Sequence, residues 1–138
     1  MAQPRVVLDT NVLVAGMRSR RGASFEMLSL LGSPHFEVCV SVPLVFEYED
    51  VLIREALALP RSMVNDVLDY LCHVAHKQQI HFLWRPFLMD PKDDLVVEVS
   101  VASQSTSIIT FNLKDFSSVT QFGIRAETPG DFLDRIGV

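Results

Sequence analysis

The sequence lacks a long apolar run. Charge interrupts every hydrophobic stretch short of the roughly 18 residues that suggest a membrane span, and Asp9 cuts the only early one. Neither a signal peptide nor a membrane anchor is therefore expected, which leaves a cytoplasmic location and no membrane partner. Cysteine is scarce as well. Cys39 in "FEVCV" and Cys72 in "YLCHV" sit in apolar contexts with no paired spacing, which argues against a disulfide or zinc framework and for reduced thiols in the core. Basic charge is in deficit. A net charge of −5 and a pI near 5.2 argue against coating nucleic acid by bulk electrostatics, and "RSRRG" at Arg18 to Gly22 is the one dense basic patch. There is no internal repeat, low-complexity tract or dividing linker.

What is present suits a compact fold. The 138 residues are 49% hydrophobic and 21% charged, which fits one domain over residues 1–138. A chain of this size buries about 70% of the surface it would expose unfolded. Arg5 to Leu8 is a short β-rich run ending at Asp9, and Gly16 with "RSRRG" reads as loop. A helix is expected from about Ser24 to Leu31, closed by Gly32 and Pro34, and Phe36 to Val40 resembles a buried strand. Pro43 opens a helix with apolar residues at Leu44, Tyr48, Val51, Leu52 and Leu59. A second amphipathic segment follows at Met63, Val64, Val67, Leu68, Leu71, Val74 and Ala75, and the two predict a helical hairpin.

Further along, Ile80 to Trp84 is a candidate third strand. "DLVVEVSVAS" is ambiguous, because Val97, Val99 and Val101 alternate with Glu98 and Ser100 as in a strand. "TSIIT" is a buried strand with Asn112 and Asp115 just beyond it, and "GIRAE" a weaker one. Thr128, Pro129 and Asp131 mark the capped start of a last helix. Strands separated by helices predict an α/β domain with a mainly parallel sheet, in which ligands bind beyond the carboxyl ends of the strands. Asp9 and the Asn112/Asp115 pair stand at two such ends.

Four acidic loci invite comparison: Asp9, Glu47, the "DPKDD" cluster and Asp115. Within "EYED", a helical rotation places Glu47 about 75° from the centre of the apolar stripe, with Glu49 and Asp50 more than about 100° away. Glu47 alone borders the inward side. Two to four carboxylates converging from distant segments would hold one or two Mg²⁺ or Mn²⁺ ions, whose charge relieves the repulsion among the acids and suits phosphoryl chemistry. Taken singly, each acid has an ordinary reading. Asp after a strand is commonly a turn or cap residue, Glu47 a solvated helix acid, "DPKDD" a turn with a helix start, and Asp115 a turn cap.

Taken in order, "VVLDTNVLVAG", "VSVPLVFEYEDVL", "DPKDDLVVEVSVAS", "SIITFNLKDF" and "GIRAETPGDFL" resemble the PIN-domain ribonucleases, in particular the VapC-like toxin components of prokaryotic toxin-antitoxin pairs. The likeness runs from about Arg5 to Leu133, the middle helices matching only in character. It implies a three-layer α/β/α sandwich with a mainly parallel central sheet, an acidic metal site and Mg²⁺- or Mn²⁺-dependent cleavage of RNA. By position Asp9, Glu47 and Asp94 are the first three catalytic and metal-binding acids, and Asp94 opens a helix. Asp93 and Glu98 stay open as alternatives to Asp94. Many members have T-x-D after the fourth strand where this chain has Thr110, Phe111 and Asn112, so the fourth acidic role passes to Asp115 of "NLKDF" and one-ion chemistry is open.

Thr10, Asn11, Thr110 and Asn112 are the supporting residues, the first three as hydrogen-bonding groups around Asp9. Arg18, Arg20 and Arg21 are candidates to grip RNA phosphates, with a solvated basic loop as the ordinary alternative. The resemblance further implies an antitoxin partner and a homodimer. Water would attack the scissile phosphate in line, leaving 5′-phosphate and 3′-hydroxyl ends. His73 and His76 lie three apart with no third ligand near, and His35 and His81 have no partner pattern. Phe82, Trp84 and Phe87 are better placed for packing than for base stacking. Two rival readings are a catalytically weak or inactive PIN-like module that binds RNA or protein, which Asn112 and the acidic balance motivate, and a haloacid-dehalogenase-type phosphotransferase. The latter needs a second acid two residues after the first, where this chain has Asn11.

Overall fold

A computed structural model describes residues 3–55, 59–80 and 91–138. The elements in order are β1 (Arg5–Leu8), α1 (Thr10–Arg18), α2 (Ala23–Ser29), β2 (Glu37–Val40), α3 (Val42–Glu55), α4 (Arg61–Val74) and β3 (His76–Lys77). They continue with α5 (Pro91–Ala102), β4 (Ser107–Ile109), a 3₁₀ helix (Leu113–Phe122), β5 (Arg125–Glu127) and α6 (Pro129–Ile136). All strand pairs are parallel, in the order β3-β2-β1-β4-β5.

β1 is central because both of its faces are covered: Val6, Val7 and Leu8 have no exposed surface, which is why the run is continuously apolar. Its registered pairs with β2 are Arg5 to Glu37 and Val6 to Val38, while with β4 they extend to Leu8 and Ile109. α1 packs on α2 and α3, and α3 on α4, along the connections that lead from β1 to β2 to β3. The chain then returns past β2 and β1 to form β4, and α5 packs against β1, β4 and the 3₁₀ helix. α6 packs back on α2, and its Phe132 meets Phe36, the residue before β2, edge to face at 5.7 Å.

The α3–α4 hairpin forms as its periodicity predicts, burying Leu44, Tyr48 and Leu52 from one helix and Val64, Leu68 and Leu71 from the other. α6 starts with Thr128, whose hydroxyl accepts the Asp131 amide. Cys39 is buried, and burial raises its thiol pKa despite hydrogen bonds with Ser105 and Ser103 and the charge of Arg5. No helix among the described residues is long and apolar enough to cross a membrane.

Two local expectations, at Gly16 and Arg18, are corrected; one strand lies mostly outside the described residues, and one ambiguity resolves as the family resemblance implies. Gly16 belongs to α1, not to a loop: a Cβ there would lie 2.5 Å from Leu28 Cδ1, so glycine permits α1 and α2 to approach. Arg18 likewise ends that helix instead of lying in the loop. The third strand is the pair His76 and Lys77, which joins Cys39 and Val40 at the sheet edge; of the expected Ile80–Trp84 strand, Ile80 lies outside any strand and residues 81–84 fall outside the described residues. "DLVVEVSVAS" is helical. Val96, Val97, Glu98, Val99 and Ser100 are all buried, so the middle of α5 has no solvent face to impose a 3.6-residue pattern.

Candidate active site

The sheet order sets the location. Strands added after β1 go to one side and those added after β3 to the other, so the crevice lies between the carboxyl ends of β1 and β4. Asp9 follows β1 and Thr110 follows β4, and the two side chains meet there. Asp9 is 6% exposed, and each of its carboxylate oxygens has a partner. Oδ1 accepts the Thr10 amide at 2.8 Å, capping α1, and Oδ2 accepts the Thr110 hydroxyl at 2.7 Å. An anion at a helix start is also favoured by the helix dipole. This explains how a carboxylate, Thr10 and Asn11 come to interrupt an apolar run: the polar groups satisfy one another across the crevice.

The shell continues outward. Thr110 Oγ1 accepts the Asn112 amide at 2.9 Å, and Asn11 Oδ1 accepts the Phe111 amide at 3.5 Å, tying the start of α1 to the segment after β4. From α3, the Tyr48 hydroxyl donates to the Leu8 carbonyl, one residue before Asp9. Tyr48 is fully buried. Burial first, and the Asp9 charge second, raise its pKa well above 10.0, so it remains a donor. The side chain of Glu47, the preceding residue, is 15% exposed, and its Oε1 lies 3.8 Å from Lys92 Nζ at the start of α5. Asp94, in the first turn of α5, is 0% exposed, and Glu98 one turn later is 2% exposed. Thus α3 and α5 come together where Glu47 and Lys92 pair, and α5 also packs on β1 and β4.

A family model described as "PIN domain" matches residues 5–114. The chain belongs to the PIN-domain family. Its fold is similar to a chain of the VapBC2 complex from Rickettsia felis bound to a promoter DNA fragment, with a TM-score of 0.63, 14% identity, and coverage of 90% of this chain and 98% of that one. It is also similar to a chain of VapBC-1 from nontypeable Haemophilus influenzae, with a TM-score of 0.60, 18% identity and coverage of 91% and 98%. A third likeness is to DNA-bound VapBC from Salmonella typhimurium, with a TM-score of 0.58, 16% identity and coverage of 92% and 99%. No curated protein matches the chain.

In this PIN domain the expected residues separate into groups. Asp9, Thr10, Asn11 and Thr110 gather at the crevice, and Glu47 and Asp94 lie on the two helices that meet beside it. Asp115 and Asn112 are exposed on the 3₁₀ helix and its N-terminal flank, and the family match ends one residue before Asp115. Asn112 takes part through its backbone amide. Arg18, Arg20 and Arg21 lie away from Asp9: α1 carries them about 13 Å along its axis. Arg18 Nη2 donates to the Glu55 carbonyl at 2.6 Å, and Arg20 and Arg21 are exposed. His73 is exposed, and His76 Nε2 hydrogen-bonds with Gln78 Oε1 at 3.0 Å; His81, Phe82, Trp84 and Phe87 lie outside the described residues.

Among the described residues, no group of three or more His, Cys, Asp or Glu side chains is arranged to hold a metal ion. The donor chemistry nevertheless suits a hard cation, because Asp9 at the crevice, Glu47 on α3, and Asp94 and Glu98 on α5 are all carboxylate oxygen donors. Lys92 already stands against one of them as a positive charge. Sequence reasoning did not single out Lys92 or the hydroxyl of Tyr48. The signals were a lysine inside an acidic cluster and a tyrosine, instead of an aliphatic residue, on a core stripe.

Proposed function

We propose that this PIN domain is a divalent-metal-dependent endoribonuclease and the toxin of a type II toxin-antitoxin pair. The observation that carries the reading is Asp9, a buried carboxylate at the switch point of a parallel sheet with both oxygens oriented by hydrogen bonds. Asp9, Glu47 and Asp94 would hold Mg²⁺ or Mn²⁺, with Asp115 as a fourth acid from the 3₁₀ helix. The ion, when bound, supplies Lewis-acid stabilisation of charge on the phosphoryl group and lowers the pKa of water.

The protein's own contribution is preorganisation. Thr10 and Thr110 hold the Asp9 carboxylate in one orientation, so little is lost in ordering it when a cation arrives. Glu47, now paired with Lys92, would be the ligand from α3. Asp94, at the start of α5, keeps its carboxylate in a dry setting, where electrostatic interactions are stronger than in water. The likeness to chains of VapBC complexes supports the toxin reading and an antitoxin as partner; RNA as substrate and a homodimer as the assembly are part of the same proposal.

A specific observation favours a second reading, a PIN-like module that binds RNA or protein without cleaving it. Lys92 balances Glu47, and no metal-holding group is formed among the described residues. Incubating purified protein with a mixed-sequence RNA decides between them. The nuclease reading expects cleavage with Mn²⁺, 5′-phosphate ends, and loss of activity with chelator and in Asp9→Asn. Binding without cleavage in the presence of Mn²⁺ would overturn it in favour of the module.

A further inference from the structure

We infer that Tyr48 is a positioning residue for Asp9, its hydroxyl fixing the peptide from which the carboxylate is presented. The inference rests on the reading of Asp9 as a metal ligand. The peptide unit joining Leu8 to Asp9 is rigid and planar, with one acceptor and one donor. The structure holds both. The Asp9 amide donates to the Ile109 carbonyl at 2.9 Å on the β4 side, and the Leu8 carbonyl accepts the Tyr48 hydroxyl. On the β2 side the registered pairs of β1 reach only Val6, so Tyr48 supplies a donor beyond the last registered pair.

The position of Tyr48 also matters. It follows Glu47 directly, so one turn of α3 presents a proposed ligand and grips the strand that carries another. Loss of the hydroxyl would leave the Leu8 carbonyl without this donor while the aromatic ring still fills its place in the core. The peptide plane could then rock about the Ile109 bond. Asp9 would lose direction even though the domain remains folded, and neither Thr10 nor Thr110 can restore it, because both act on the side chain beyond that peptide.

Tyr48→Phe tests this, with Tyr48→Leu as a packing comparison and Asp9→Asn as a control for the metal reading. Mn²⁺ affinity is measured by calorimetry and amide exchange by NMR, without RNA. Tyr48→Phe is expected to weaken Mn²⁺ binding about five- to tenfold, the scale of one hydrogen bond. It should also speed exchange of the Thr10 amide while leaving Val6, further up β1, unchanged. Tyr48→Leu should melt lower still but bind Mn²⁺ about as weakly as Tyr48→Phe.

If Asp9→Asn loses Mn²⁺ binding while Tyr48→Phe matches wild type, the inference about Tyr48 is overturned and the metal reading stands. It is equally overturned if Mn²⁺ affinity falls in step with melting temperature across the two Tyr48 variants. If wild type and Asp9→Asn do not differ in Mn²⁺ binding, the metal reading fails and takes the inference with it.

Discussion

Replacing Thr110 by valine exchanges one hydroxyl for a methyl group of similar size at a position with no exposed surface. Two hydrogen bonds disappear. The Asn112 amide, which donates to Thr110 Oγ1, belongs to an exposed residue and can turn to water, so its loss costs little. The other bond runs at 2.7 Å to Oδ2 of Asp9, a residue only 6% exposed. A hydrogen bond to a charged group of this kind contributes about 1.5–3 kcal/mol. For a chain of this length each kcal/mol shifts the melting temperature by about 3–5 °C, so Thr110→Val should melt about 5–15 °C below wild type. Thr110→Ser keeps the donor and loses one methyl, about 1 kcal/mol, and should fall less. Scanning calorimetry near neutral pH separates the three proteins. A Thr110→Val protein melting within about 1 °C of wild type, or a Thr110→Ser protein falling as far as the valine variant, would refute the claim that this bond secures Asp9.

Two further outcomes follow from other parts of the structure. Burial pulls the Glu127 carboxyl upward, but hydrogen bonds from Arg135 and Ser107 and the charges of Arg135 and Arg125 outweigh it and hold the group below its ordinary 4.5. Because the folded value is the lower one, this stabilisation is complete above pH 4.5 and is lost as pH falls through the folded value. Arg135→Ala should therefore melt below wild type at neutral pH and converge on it in strong acid; a gap that persists undiminished there would contradict the assignment. Gly16→Val would place a Cβ 2.5 Å from Leu28 Cδ1 and 3.0 Å from the Ser24 carbonyl, and overpacking of this kind costs about 1–3 kcal/mol. Denaturant unfolding that leaves the midpoint unchanged would show that α1 and α2 can separate freely.

How much of this was legible in the sequence depended on whether the cause was local. β1, β2 and β4 could be read because apolar runs of strand length are themselves the signal of a strand covered on both faces. The start of α6 could be read because Thr128, Pro129 and Asp131 make their cap among themselves. α5 could not be decided from its own pattern, since a helix whose middle is buried all round has no polar stripe there, and only the family likeness indicated its helix. Gly16 looked like a breaker because its reason for being glycine, the approach of Leu28, is tertiary.

The candidate site divides the same way. Asp9 stood out as a charge in an apolar run, and helical rotation separated Glu47 from Glu49 and Asp50. Thr110 could be named as a partner of Asp9 because it ends a neighbouring strand, although 101 residues of chain separate the two, whereas Lys92 meets Glu47 across two helices, a relation that no local spacing encodes. The basic run at Arg18 to Arg21 was visible as charge, but its distance from Asp9 follows from the direction of α1.

The proposed chemistry requires that folding bring acids from the end of β1, from α3 and from α5 to one cation. Diffraction from crystals soaked in Mn²⁺, recorded where manganese scatters anomalously, tests it most directly. A single strong peak is expected at the carboxyl end of β1, within bonding distance of the Asp9 carboxylate and ligated or water-bridged by Glu47 and Asp94. A map with no peak there, or with manganese only at surface carboxylates remote from Asp9, would contradict it.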